Sequence, residues 1–175
     1  MDPTKHLNPE SIGAGIAKGL PAYTPEIPTL TLKNISLTAD RSDDAIKAWS
    51  QQFGAVIKNS FLTSHQIEPL ILIDALKDEN YDALSQIDPY LKAYDELAAS
   101  VQKIPAPPSI ADRELEFLRI TLQFRSVAAR FRDAEKDPIT ALAAMNPYFN
   151  LVHQAENWHR DLQRELAMRH LTLQP

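Results

Sequence analysis

Past residue 41 the apolar side chains recur every three or four positions, the spacing that lines one face of an α-helix. Ser42 is placed to cap the first such run. Asp43 and Asp44 sit in its first turn, where carboxylates favour the helix dipole. Ile46, Trp49, Phe53, Val56 and Ile57 then form one buried stripe. A second helix is expected from near Ser64 through Leu70, Ile71, Ala75 and Leu76, with Pro69 tolerated early. The polar run Lys77 to Asn80 interrupts it, and Tyr81, Leu84 and Ile87 suggest a short third helix.

Asp88-Pro89 reads as a restart, with Asp as N-cap and Pro at the first helical position, where its missing N–H costs nothing. The stripe Tyr90, Leu91, Tyr94, Leu97, Ala98 and Val101 follows and stops before Pro105. Ser109 is the expected cap of the longest helix, over about 110–135. Asp137-Pro138 repeats the Asp-Pro start, and Pro147 is expected to break or kink what comes next. Tyr148, Leu151, Val152, Ala155, Trp158, Leu162 and Leu166 share one face of the final helix. Short connections imply antiparallel neighbours. The expected fold is therefore all-α: an up-and-down bundle of about four main helices plus short helices over residues 41–175. No strand–helix alternation supports a parallel sheet.

Residues 1–40 differ. They hold Pro3, Pro9, Pro21, Pro25 and Pro28 with Gly13, Gly15 and Gly19, a composition that disfavours a long helix. Thr29 to Thr38 alternates weakly through Leu30, Leu32, Ile35 and Leu37, as an extended segment or a short strand would. An extended proline-rich arm is expected here, lying on the bundle or docking on a partner.

At 175 residues the chain is long enough for one self-sufficient core, and 44% hydrophobic with 23% charged residues is a globular composition. With no cysteine there is no disulfide framework or thiol nucleophile, which leaves the compartment open. Residues 1–109 carry 9 basic against 14 acidic side chains, and residues 110–175 carry 9 against 9. No region is basic overall, which argues against a nucleic-acid partner. No run approaches the roughly 20 apolar residues of a membrane span, and the start, Met1 to His6, lacks the pattern of a signal peptide.

The long helix carries the most informative polar pattern. On a helical wheel Asp112, Glu116, Arg119, Gln123, Ser126 and Arg130 form a narrow solvent stripe. Glu114, Thr121, Arg125 and Arg132 fall instead between two apolar arcs. Arg125 and Arg132 there could present guanidinium forks to an anionic ligand, or pair with acidic residues of neighbouring helices, which is the commoner use of a half-buried arginine. Glu114, Arg125 and Arg132 are thus the candidate anion or ion-pair seam.

Other motifs are incomplete. Glu156 and His159 match the Glu-x-x-His pair of di-metal bundles, with His159 read onto the apolar face, but no second copy exists. A core-edge histidine with a hydrogen-bond partner is the favoured reading. The other histidines are scattered, so no metal is expected. Gly13 to Gly19 is one residue too long for a dinucleotide fingerprint, and no nucleophile elbow or P-loop occurs. Asn34-Ile-Ser36 is a formal glycosylation sequon, and Trp49, Tyr94 and Trp158 fall on stripes assigned to the core. Neither cofactor nor catalytic residue is assigned.

Four segments in order carry a resemblance: Leu37-Thr-Ala-Asp-Arg-Ser-Asp-Asp-Ala-Ile-Lys-Ala-Trp49, Ile87-Asp-Pro-Tyr-Leu-Lys-Ala-Tyr94, Ile104-Pro-Ala-Pro-Pro108 and Asp137-Pro-Ile-Thr-Ala-Leu142. Over about residues 37–145 the chain resembles an uncharacterised group of helical proteins of small-genome candidate-phyla bacteria. That resemblance implies extracytoplasmic helical domains tethered to a membrane by a preceding hydrophobic segment, some of them associated with type IV pilus or secretion genes. It implies no catalytic residues. The chain departs from the group in its long proline-rich arm, in Pro147 and in lacking a hydrophobic leader.

The expected function is that of a non-enzymatic interaction or scaffold domain with a protein partner, within an envelope, pilus or secretion-associated assembly. Ile27, Leu30 and Leu32 of the arm are the candidate contacts. The alternative is a helical bundle binding a small anionic ligand at Arg125 and Arg132. An enzyme using Glu156 and His159 is the least favoured class.

Overall fold

The computed structural model describes residues 22–60 and 67–172. They form an all-α bundle: α1 (Asp43–Ser60), α2 (Glu68–Lys77), α3 (Asp88–Val101), α4 (Ala111–Arg132), α5 (Pro138–Ala143) and α6 (Met145–Met168). Two 3₁₀ segments, Leu32–Asn34 and Tyr81–Ile87, complete the described elements. The longest helix is α6, at 24 residues, and not α4, at 22.

Contacts between the long helices fix their directions. As α4 advances from Arg125 to Arg132, its partners on α3 step back from Asp95 to Asp88. Between α4 and α6, Phe117 meets Trp158 and Phe124 meets Tyr148, again antiparallel. Trp49 and Phe53 of α1 meet Glu114 and Phe117 of α4 in the same order, so these two run parallel. In chain order α1, α3, α4 and α6 therefore alternate direction, the up-and-down arrangement that the short connections implied.

Two apolar clusters stack along α4. Trp49, Phe53, Leu118, Trp158 and Leu162 belong to one, and Leu72, Leu84, Val127, Phe131 and Met145 to the other. Phe124 packs against both. Trp49 and Trp158 are buried as the stripes required, and Tyr94 is half-buried.

The caps divide into two groups. Ser42 Oγ accepts from the Ala45 N–H at 3.2 Å, and the Asp137 carboxylate accepts from the Thr140 N–H at 3.0 Å, as expected. Asp88 and Ser109 do not cap. The 3₁₀ segment ending at Ile87 runs straight into α3, so Asp88 already has helical backbone angles and its carboxylate turns to Arg132. Before α4 the chain turns on the Pro107 carbonyl, which accepts from the Ile110 and Ala111 N–H groups and leaves Ser109 outside. The second helix begins at Glu68, with Ser64 outside the described residues. Pro147 does not break α6: it is the third residue, where its missing N–H removes no intrahelical bond.

Residues 22–41 lie along the bundle. Tyr23 reaches Ser126 at 3.3 Å, its ring sits under the Arg130 guanidinium at 5.8 Å, and Arg119 Nη2 donates to the Leu30 carbonyl. The stripe of α4 read as a solvent face is thus partly covered by the chain's own arm. No strand forms among the described residues. The segment makes a single parallel bridge, Leu37 to Ala106, because the Leu32–Asn34 turn breaks the alternation. Residues 1–21, with the Gly13–Gly19 run, lie outside the described residues.

Candidate functional site

Where the two apolar clusters meet, the helices leave a cavity of about 430 Å³. Its size falls in the range of roughly 300–1,000 Å³ typical of ligand pockets. One wall is a stripe of α3: Tyr90, Ala93, Tyr94 and Leu97. The facing wall is a stripe of α4: Phe117, Ile120, Thr121 and Phe124. Each set follows the i, i+3, i+4, i+7 spacing of one helix face. Ala93 and Ala155 are too short to close the space between the aromatic rings. Ser60 and Ile67 border it on one side, and Ile67 is exposed at the lip.

The carboxylate of this cavity is that of Glu68, the first residue of α2 and only 2% exposed. Its carboxylate accepts from the Tyr94 hydroxyl at 2.6 Å and from the Tyr148 hydroxyl at 2.9 Å. The N-terminus of α2 adds a favourable dipole. Burial, then the Glu68 charge, push the Tyr94 and Tyr148 phenols well above the usual tyrosine range, so both stay donors. Thr121 and Ser60 donate their hydroxyls back to the Phe117 and Val56 carbonyls, as helix residues with buried hydroxyls commonly do.

The residues of the polar seam separate. Glu114 is fully buried against Trp49, whose indole N–H donates to it. Burial pushes its carboxyl up to about 7, with the Trp49 hydrogen bond opposing. Thr121 is also buried. Arg125 and Arg132 instead face α3. Arg125 holds Asp95 with Nε at 3.1 Å and Nη2 at 3.5 Å, and Arg132 Nε holds Asp88 at 2.8 Å. Both pairs are half-exposed.

The arm candidates also separate. Leu30 is buried in the core of the bundle and Ile27 is half-buried beside Arg125 and Arg130, while Leu32 is 46% exposed. His159 is exposed, contrary to the wheel, because the core face of α6 is centred on Trp158 and Leu162. Glu156 is exposed too, and the imidazole within ion-pair reach of it, at 3.6 Å, belongs to His153. Among the described residues no three His, Asp or Glu side chains gather as a metal site.

The aromatic pocket residues were legible as core, since Tyr90, Tyr94, Phe117 and Phe124 all sit on apolar stripes, whereas Thr121 was read into the polar seam. A wheel shows which residues face inward but not whether the facing stripes touch. The available signal for Glu68 was a lone carboxylate opening the apolar run Pro69 to Ile73. Comparison of the chain with protein-family models, curated proteins and solved structures finds no match.

Proposed function

We propose that this chain is a non-enzymatic interaction domain, a helical scaffold that engages a protein partner within an envelope, pilus or secretion-associated assembly. One observation supports the reading. The docked arm sinks Leu30 and Ile35 into the bundle and turns Leu32 and Leu37 outward, 46% and 49% exposed. Apolar side chains held outward on an ordered segment lose little entropy on binding. The contact surface is therefore centred on Leu32 and Leu37, with Leu30 as its anchor. Among the described residues no helix is long and apolar enough to cross a membrane, so the assembly would hold this domain by contact or by a tether elsewhere.

The test is site-specific photo-crosslinking in the native host. A crosslinker at position 32 or 37 is expected to capture one protein of defined mass in an envelope fraction, and a crosslinker at Gln51 on exposed α1 surface is not. No adduct at either arm position removes the reading. A small anion at Arg125 and Arg132 would have to displace Asp95 and Asp88 from both guanidiniums, so the contact reading is favoured.

A further inference from the structure

The cavity between α3 and α4 has a chemistry that the partner reading does not use. It is walled by aromatic and aliphatic side chains, and its polar wall contains a buried carboxylate. Two phenols donate to Glu68, one to each oxygen. A carboxylate has about four acceptor sites, so capacity remains on both oxygens. Among the described residues no Lys, Arg or His forms a salt bridge to it. A buried negative charge without a cation attracts one strongly, and aromatic faces attract cations in their own right.

We infer that this cavity is a binding site for a small organic ammonium ion, an aryl or alkyl amine whose apolar body lies against the wall formed by Tyr94 and Phe124 and whose charged nitrogen reaches Glu68. Charge complementarity selects this ligand class. An anion would meet the Glu68 charge, and a purely apolar ligand would leave that charge unanswered. Tyr94 stacks on Phe124 with ring centroids 5.9 Å apart and planes 8° off parallel, a flat aromatic wall beside the carboxylate. The site stands on Glu68 and the cavity alone, so it holds or fails independently of the arm contact.

Calorimetric titration of the whole chain with 3-phenylpropylammonium, 3-phenylpropanol and 3-phenylpropanoate tests it. The three probes share a body and differ in charge. The ammonium is expected to bind about tenfold tighter than the alcohol, and the carboxylate weakest. Glu68→Gln should bring the ammonium down to the level of the alcohol. Ala93→Phe, which fills the cavity and leaves the Glu68 side chain itself unchanged, should abolish binding of all three. The ranking on the unmodified chain remains decisive if the Glu68 variant does not fold. Equal binding of ammonium and alcohol overturns the charge selection, and absence of any binding overturns the site. Binding that appears only after Phe61→Ala and Leu62→Ala would show that the chain's own residues 61–66 occupy the space, which also overturns it.

Discussion

The Trp49 indole N–H donates to one oxygen of the Glu114 carboxylate, and the other oxygen of that carboxylate, Oε1, is buried without a hydrogen-bond partner among the described residues. A fully buried carboxylate with one donor and no cation carries its charge at a cost, so it holds its proton to about pH 7. In the unfolded chain the same group loses its proton near its ordinary value of 4.5. Between those values the folded chain binds the proton and the unfolded chain does not, so stability falls as pH rises from about 4.5 to about 7. At about 1.4 kcal/mol per pH unit the loss is about 3 kcal/mol. Urea unfolding at pH 5 and pH 8 should show the chain more stable at the lower pH. Glu114→Gln should flatten that difference. Asp40 and Asp137, both lowered by hydrogen bonds, act only below their ordinary value of 3.8 and leave this window clear.

The two arginines of the seam predict the opposite scale of effect. Each guanidinium lies beside a half-exposed aspartate of α3, where solvent screens the pair and ordering two long side chains offsets the attraction. Arg125→Met and Arg132→Met should each change the unfolding free energy by less than about 1 kcal/mol. A loss above about 2 kcal/mol in either would mean that these pairs are buried more deeply in solution than their exposure indicates. Crosslinking from position 32 should be the same in both variants.

Within the arm, neighbouring residues should behave differently. Leu30 and Ile35 are each 8% exposed and belong to the core cluster of Trp49 and Leu118, while Leu32 lies outside it. Truncating a buried Leu or Ile costs about 2–5 kcal/mol, whereas an exposed position usually changes stability by about 0.5 kcal/mol or less. Leu30→Ala and Ile35→Ala should therefore lower the denaturation midpoint clearly, and Leu32→Ala should not. Equal effects at all three positions would mean that the arm does not dock as a fixed strap.

How much of this was readable in advance follows from what periodicity encodes. Helix positions, the Ser42 and Asp137 caps and the core placement of Trp49, Phe53 and Trp158 all come from local pattern, and the structure agrees with them. Asp88 and Ser109 misled for the same reason: a cap depends on the backbone angles of the preceding residues, which Ile87 and Pro107 set here. The arm on the Arg119–Ser126 stripe, the cavity between the α3 and α4 stripes, and the burial of Glu68 are all long-range. Sequences 26 to 103 residues apart must meet to create them, as Glu68 with Tyr94 and Tyr23 with Ser126 do. The wheel of α4 put Glu114 and Arg125 on one seam, but the neighbours that bury one and leave the other at the surface belong to different helices.

Two helices end in a way no glycine announces. After α2, Glu79 takes φ 52° and the Asn80 N–H bonds the Ala75 carbonyl; after α6, His170 takes φ 58° and the Leu171 N–H bonds the Leu166 carbonyl. Both are six-to-one closures of the Schellman type, and at α6 half-buried Leu171 packs into the core cluster that contains Leu166. A residue with a Cβ in this left-handed conformation costs about 1–2 kcal/mol, which glycine avoids, though glycine also loses more chain entropy on folding. The balance favours glycine where the side chain makes no buried contact, and both Glu79 and His170 are exposed. Glu79→Gly and His170→Gly should each stabilise the chain by about 0.5–1 kcal/mol in urea unfolding. Alanine at the same positions should give no gain, since it keeps the Cβ. A gain from alanine equal to that from glycine would place the benefit in the lost side chain and not in the backbone turn.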